Sequence, residues 1–260
     1  MHLLLLIVIF SLVGGVLSVI AASLFLLLPE RHRVGSLPHF VSLATGAMLG
    51  AAFLGLIPNA VSGENALGFH QLGLTILLGI MGFFILEKMV LWRHCHDEGC
   101  EAHTVSDHHH QHSAAGTLVL IGDGVHNLVD GVLIAAAFLT DVHLGIITSL
   151  AVAAHEIPQE VGDFVLLLHS GYSRGRALFF NILSSLTTII GAVVTYYSLQ
   201  NSLALVPYFI AVAAASFIYI AVADLIPTLH KRIEFKETIR QIVLITLGVL
   251  IIVAAHELLH

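Results

Sequence analysis

The chain has 260 residues, of which 57% are hydrophobic and only 10% charged. An average soluble domain carries roughly 25% charged residues, so this composition cannot clothe a water-facing globule and calls for the apolar solvent of a lipid bilayer. The formal net charge is −7 and the ten Lys and Arg are scattered in pairs, which leaves no electrostatic footprint for nucleic acid and excludes it as a partner.

The first predicted element is an apolar run over residues 3–28. It lacks a basic leader and exceeds the usual signal-peptide core, so it reads as a retained span. Further apolar runs cover about residues 39–58, 72–92, 115–139, 143–168, 177–199, 204–227 and 240–258. Each is near the ~20 residues that cross hydrocarbon as a helix, and several are long enough to tilt. Barrel strands would be half as long and would alternate. The expected fold is therefore all-α, a polytopic membrane protein with eight transmembrane helices in one domain over residues 1–260.

The basic residues test that count. Arg31 and Arg33, Lys88 and Arg93, Arg174 and Arg176, and Lys231, Arg232, Lys236 and Arg240 all fall on one side of an eight-span chain. The positive-inside rule makes that side cytoplasmic, in a cell membrane, and both termini non-cytoplasmic. On the same side, residues 94–113 hold seven His with Cys95 and Cys100, and are expected to form a mobile His-rich cytoplasmic loop able to bind a divalent ion. The chain's 18 His outnumber its Lys and Arg, an excess that metal handling explains and core packing does not demand.

The fourth span contains GDGVHNLVDG, which sets Asp123, His126, Asn127 and Asp130 in an otherwise apolar segment. The fifth contains AAHEIPQEVGD, with His155 and Gln159 four apart and Glu156 and Glu160 four apart. Such spacing puts residues on one helix face. His126, Asp130, His155 and Gln159 form one set, and Asn127, Asp130, Glu156 and Glu160 offer a second, the pattern of a two-position ion site. An ionised side chain near the bilayer centre costs on the order of 2.5–3.5 kcal/mol by insertion measurements, and packing supplies nothing to offset three such carboxylates. A divalent cation does, because it stabilises ionised carboxylates and is coordinated by neutral imidazole. Interhelical hydrogen bonding alone and a metal-free proton relay are the competing readings. Pro158 removes one backbone hydrogen bond within the fifth span and frees the Ala154 carbonyl, which points to a discontinuous helix at the site. Asp163 and Asp224 are candidates for an exit path, and Glu87 with Lys88 for a local pair near the interface.

These motifs resemble the ZIP family of zinc and iron transporters. HNLVDG at 126–131 and HEIPQEVGD at 155–163 carry the likeness, and GFFILEK at 82–88, FNILSSLT at 180–187 and YIAVADLIP at 219–227 extend it. The resemblance implies a ZIP-like helical bundle that takes up metal toward the cytoplasm, moves helix groups relative to one another and often forms a homodimer. Carried over residue by residue, it assigns metal ligation to His126, Asn127, Asp130, His155 and Glu156, with further ligands at Gln159 and Glu160. Many relatives have His at the position of Gln159, and an acidic residue or His in the second span where this chain has Ala51 and Gly55. Asn59, Glu64, His256 and His260 are candidates to replace that missing entrance group. The cargo implied is Zn2+, with Fe2+, Mn2+ and Cd2+ as further candidates, since mixed N and O ligands suit transition metals better than Mg2+ or Ca2+. The alternative is an intramembrane zinc hydrolase, because HEIPQ resembles the start of an HExxH helix. Gln159 in place of the second His, and Pro158 within the motif, argue against it.

Overall fold

The computed structural model describes residues 2–63, 65–96 and 108–259. The eight long helical stretches are α1 (His2–Leu26), α2 (Glu30–Ala60), α3 (Phe69–His96), α4 (His108–Thr140), α5 (Val142–His169), α6 (Arg174–Leu199), α7 (Leu203–Leu229) and α8 (Phe235–Leu259). Seven are long and apolar enough to cross a membrane by length and composition. The eighth, α5, has comparable length at 28 residues but carries Glu156, Glu160 and Asp163. The protein is an all-helical, multi-pass membrane protein.

Turn chemistry sets the tight connections. Between α4 and α5 the chain turns at Asp141, whose extended backbone ends one helix while its carboxylate accepts from the His143 and Leu144 amides at 2.8 and 3.1 Å. These are amides that a helix start leaves without partners. Ser173 caps α6 in the same way. Gly63 and Gly171 take positive φ values of 88° and 86° in the turns after α2 and α5.

Helices extend beyond the apolar runs at the basic end. α2 begins at Glu30 and continues through Pro38, and α8 begins at Phe235. α3 reaches His96 and α4 starts at His108, so both margins of the stretch read as a loop, residues 94–96 and 108–113, are helical. An apolar run measures the length immersed in hydrocarbon, whereas adding a residue to an existing helix costs far less than starting one. Residues 97–107, with Cys100 and His103, lie outside the described residues, as do Glu64 and His260.

Two groups of helices pack through small residues. α4 and α6 make the most extensive contact, and α1 and α5 join them; α2 pairs with α8, and α3 with α7. A Cβ on Gly131 would run into the Thr188 carbonyl, and one on Gly191 into that of Leu128. The pair α2–α8 repeats the device, Gly46 against the Ile245 carbonyl and Gly248 against that of Leu43. Close backbone approach of this kind is how helices associate where lipid removes the hydrophobic incentive. α5 sits between the groups, packed on α1, α2 and α4.

Among the described residues, three stretches open into π-helix: Val13–Leu17, Ala51–Leu56 and Ala221–Leu225. The last two precede Leu-Ile-Pro at 56–58 and 225–227. There Ile57 and Ile226 donate to carbonyls five residues back, at Ala52 and Ala221. The proline ring cannot sit against the carbonyl four residues earlier, and the wider turn relieves that clash. α5, by contrast, passes Pro158 as continuous helix, so the discontinuity expected there is absent. Pro158 itself is buried.

Candidate metal centre

On α4, Asp123, His126, Asn127 and Asp130 follow one another at three- and four-residue intervals and so share a face, which meets the face of α5 bearing His155, Glu156 and Glu160. Four atoms converge there. His126 Nε2 lies 3.3 Å from His155 Nε2, 3.3 Å from Glu156 Oε1 and 3.6 Å from Asp130 Oδ2. His155 Nε2 lies 3.2 Å from Asp130 Oδ2 and 3.7 Å from Glu156 Oε1. His155, Asp130 and Glu156 are buried, and His126 is partly exposed.

The chemistry of this group follows from its lone pairs. His155 Nδ1 is 3.1 Å from the Ala151 carbonyl, which only accepts, so the ring proton of the neutral imidazole belongs on Nδ1 and a bare lone pair on Nε2. That lone pair faces carboxylate oxygens, and neither oxygen of Asp130 or Glu156 receives a hydrogen bond. A proton on His126 relieves one contact at a time. A divalent cation at the centre satisfies all four atoms together. Ligands about 2.0–2.1 Å from a tetrahedral Zn2+ stand about 3.3–3.4 Å apart, because an edge of a tetrahedron is ~1.6 times its centre-to-corner distance. The five separations, 3.2–3.7 Å, bracket that edge.

The other expected ligands fall differently. Asn127 is fully buried, but its amide is engaged elsewhere: Nδ2 donates to Asp123 Oδ1 at 2.8 Å, and Oδ1 accepts from Thr188 at 2.8 Å. Gln159 is half-buried on the walls of two cavities. Glu160 is fully buried and groups with Glu156 and with Asp123, all three within 4.8 Å. Ser184 donates a short hydrogen bond to Asp123 Oδ2, and Thr187 donates to the Gly124 carbonyl at 2.7 Å.

Two cavities reach the centre. A cavity of about 430 Å³ reaches Asp123, His126 and Gln159 between α3, α4, α5 and α7, with Glu87, Asp163 and Asp224 on its walls. A second, of about 280 Å³, reaches His155 from the α2 side and shares Gln159, Asp163 and Asp224. Both lie toward the helix ends that carry the basic residues, where Arg232 donates to the Val34 carbonyl at 2.9 Å. Glu87 accepts a short hydrogen bond from Tyr219, while Lys88 lies over the Phe84 ring, so the local Glu87–Lys88 pair does not form. On the other side Phe217 packs against His155, ring centroids 6.1 Å apart, and Met48, Leu56, Ile134, Ile147 and Ile210 close the interior with no exposed surface beyond 1%.

Sequence reasoning placed Asp123 in the polar segment without assigning it a part in the site. The signal was present, since it lies three residues before His126 and seven before Asp130. Asn181, Ser184 and Thr188 on α6 had no such signal, because isolated polar residues are common in spanning helices.

A family-wide comparison matches residues 91–255 to the ZIP zinc transporter family. The chain is 29% identical over 237 residues to zinc transporter ZIP13 of Pongo abelii, covering 86% of this chain and 68% of that protein. It is 36% identical over 149 residues to zinc transporter ZIP10 of Danio rerio, covering 54% of this chain but 18% of that relative. Against metal cation symporter ZIP14 of Mus musculus it is 40% identical over 124 residues, 46% of this chain and 25% of the other. With eight helices, an intramembrane His/Asp/Glu cluster and a family match across most of its length, the chain belongs to the ZIP family of metal transporters.

Proposed function

We propose that this protein carries Zn2+ across the bilayer toward the end bearing its ten Lys and Arg, the cytoplasmic end by the positive-inside rule. The membrane is the cell membrane, and both termini lie on its non-cytoplasmic side. The observation that carries the reading is the convergence of one atom each from His126, Asp130, His155 and Glu156 within 4.8 Å of one another, beside a cavity that reaches His126. His126, Asp130, His155 and Glu156 take the ion as it sheds water. Gln159, on the walls of both cavities, meets it on the way out, and Asp163 and Asp224 follow. Binding must repay dehydration yet be shared among ligands so that release stays possible.

Relatives described as zinc transporters and as a metal cation symporter support a divalent cargo broader than zinc, and Fe2+, Mn2+ and Cd2+ are the further substrates. Transporter family membership sets the hydrolase reading aside. A homodimer would draw on the outward apolar faces of α3 and α8, little of which is buried. The test is uptake of Zn2+, Fe2+, Mn2+ and Cd2+ into liposomes holding the purified protein. Uptake above that of empty liposomes, lost with His126→Ala, supports the proposal; absence of uptake for every metal sinks it.

A further inference from the structure

Six of the ten Lys and Arg belong to two stretches far apart in sequence, Arg31 and Arg33 at the start of α2 and Lys231, Arg232, Lys236 and Arg240 around the α7–α8 turn. Membrane topology asks only that such residues lie on one side. The structure goes further and joins the two stretches. Arg232 Nη2 donates to the Val34 carbonyl at 2.9 Å, and Arg240 Nη1 donates to His39 Nε2 at 3.3 Å. Within the turn, the Gln241 side-chain amide donates to the Leu229 carbonyl at 3.2 Å, which fixes the start of α8 on the end of α7. Lys236 precedes Arg240 by four residues and so shares the face of α8 that meets α2.

The protein leaves much of this positive charge unanswered. The two stretches carry six basic side chains against three acidic ones, Glu30, Glu234 and Glu237, in a chain whose net charge is −7. Of those acids, Glu237 is engaged by Arg240 at 2.8 Å. Among the described residues, no ion pair or hydrogen bond holds the side chain of Arg31, Arg33, Lys231 or Lys236. Arg33 Nε is shut off from solvent and still donates to nothing, which is costly for a charged donor and calls for an acceptor. Beside these cations, Ile233 and Phe235 are 88% and 78% exposed. Cationic groups interleaved with exposed apolar side chains, at the end of spanning helices, match the headgroup layer of a bilayer, where phosphates and acyl chains lie together.

We infer that the start of α2 and the α7–α8 turn together form a binding site for the headgroup of an anionic phospholipid, its phosphate taken by Arg33, Lys231 and Lys236 and its acyl chains lying against Ile233 and Phe235. A phosphodiester supplies the acceptor oxygens that these donors lack; guanidinium meets two of them side by side, and ammonium acts as a point charge. The division of labour is visible in the contacts, since Arg232 and Arg240 are used in joining α2 to the turn whereas Arg33, Lys231 and Lys236 are not. Arg33 lies four residues before Leu37 and Arg232 four after Thr228, and Leu37 and Thr228 both line the second cavity. A headgroup bound there sits at the basic end of that cavity and ties α2 to α7, two of its walls. Arg174 and Arg176 are placed differently, at the start of α6, where Arg176 lies over the Tyr172 ring.

The experiment is equilibrium binding of fluorescent phosphatidylglycerol to the purified full chain in uncharged detergent, with phosphatidylcholine as the lipid of no net charge. Phosphatidylglycerol is expected to bind the more tightly, and Arg33→Gln, Lys231→Gln and Lys236→Gln should each weaken it about fivefold, the equivalent of about 1 kcal/mol per basic residue at an anionic surface. The double variant Arg174→Gln/Arg176→Gln removes two charges from another place at the same end of the helices and should change binding by less than about twofold. Thermal unfolding gives a second readout and shows that the variants are folded: phosphatidylglycerol should raise the unfolding temperature of the wild type and not that of Arg33→Gln/Lys231→Gln. Equal affinity for the two lipids overturns the inference. So does weakening by the Arg174 and Arg176 pair as large as that by the site variants, which would reduce the effect to general attraction. Inorganic phosphate that displaces the lipid at equal concentration would identify a site for the free anion and overturn the lipid assignment.

Discussion

The interior looks different on the two sides of the centre. Toward the basic end, α3, α4, α5 and α7 line a cavity with Glu87, Asp163 and Asp224 on its walls; toward the other end the space between α2, α4, α5 and α7 is filled by Met48, Leu56, Ile134, Ile147, Ile210 and Phe217. The cluster of His126, Asp130, His155 and Glu156 sits at the boundary. A carrier needs its site to face one side at a time, and here the barrier on the far side is made of fully packed apolar side chains and not of charge. Such an interior has discrete packed arrangements and deforms little in between, which suits it to two-state access.

The sharpest way to break the comparison is at the boundary. Asp130→Ala and Glu156→Ala each remove a carboxylate that faces both imidazoles, and each should cut initial Zn2+ uptake by more than the about 10–100-fold that loss of an outer-shell partner costs. The loss should be larger for Glu156, which also lies within 4.8 Å of Asp123 and Glu160. Flux measured at equal liposome incorporation checks this, and near-normal uptake in both would place the path elsewhere.

Next in size is the barrier. Phe217→Ala should cost about 3 kcal/mol of stability, the low end for a truncated buried Phe, since in lipid the packing part of the loss dominates. Thermal unfolding reads that cost. Access can be read directly with cysteines: Ala223→Cys, on the cavity wall, should react with a membrane-impermeant thiol reagent from the basic side, and Ala213→Cys, on the sealed side of the same helix, should not. Equal labelling of the two would erase the asymmetry.

A smaller effect belongs to the seams within each helix group. Gly131→Ala pushes a methyl into the Thr188 carbonyl and should destabilise by about 1–3 kcal/mol, the usual cost of overpacking. Gly162→Ala, with nothing within 4 Å of the new atom, is the control and should be near neutral. The smallest change is expected at Gln159, whose neutral amide contributes neither charge nor imidazole basicity. Gln159→His adds a nitrogen one turn from His155 and should raise Zn2+ affinity relative to Mn2+ by about tenfold or less. An unchanged ratio in the folded variant would show that this side chain stays clear of the ion.

Much of this arrangement was legible in the residues alone. Span length, the placement of ten basic residues on one side and the isolation of polar residues in two apolar segments all follow from the cost of moving polar groups into hydrocarbon, which acts on each segment locally. Helical periodicity likewise placed His126 with Asp130, His155 with Gln159 and Glu156 with Glu160, because 3.6 residues per turn fixes angular position within one helix, but it split His155 and Glu156 between two sets that the structure brings into one cluster. Periodicity is silent about a neighbour's rotation and height. Those depend on glycines that let α4 and α6 backbones touch, and this contact put Ser184 and Thr188 where they take hold of Asp123 and Asn127. The hydrogen bonds that tie Asn127 to Asp123 and Thr188 and the residues that line the two cavities are outcomes of contacts between helices distant in sequence. No segment's own composition records them, because they arise from how whole helices are rotated and shifted against one another when their surfaces pack.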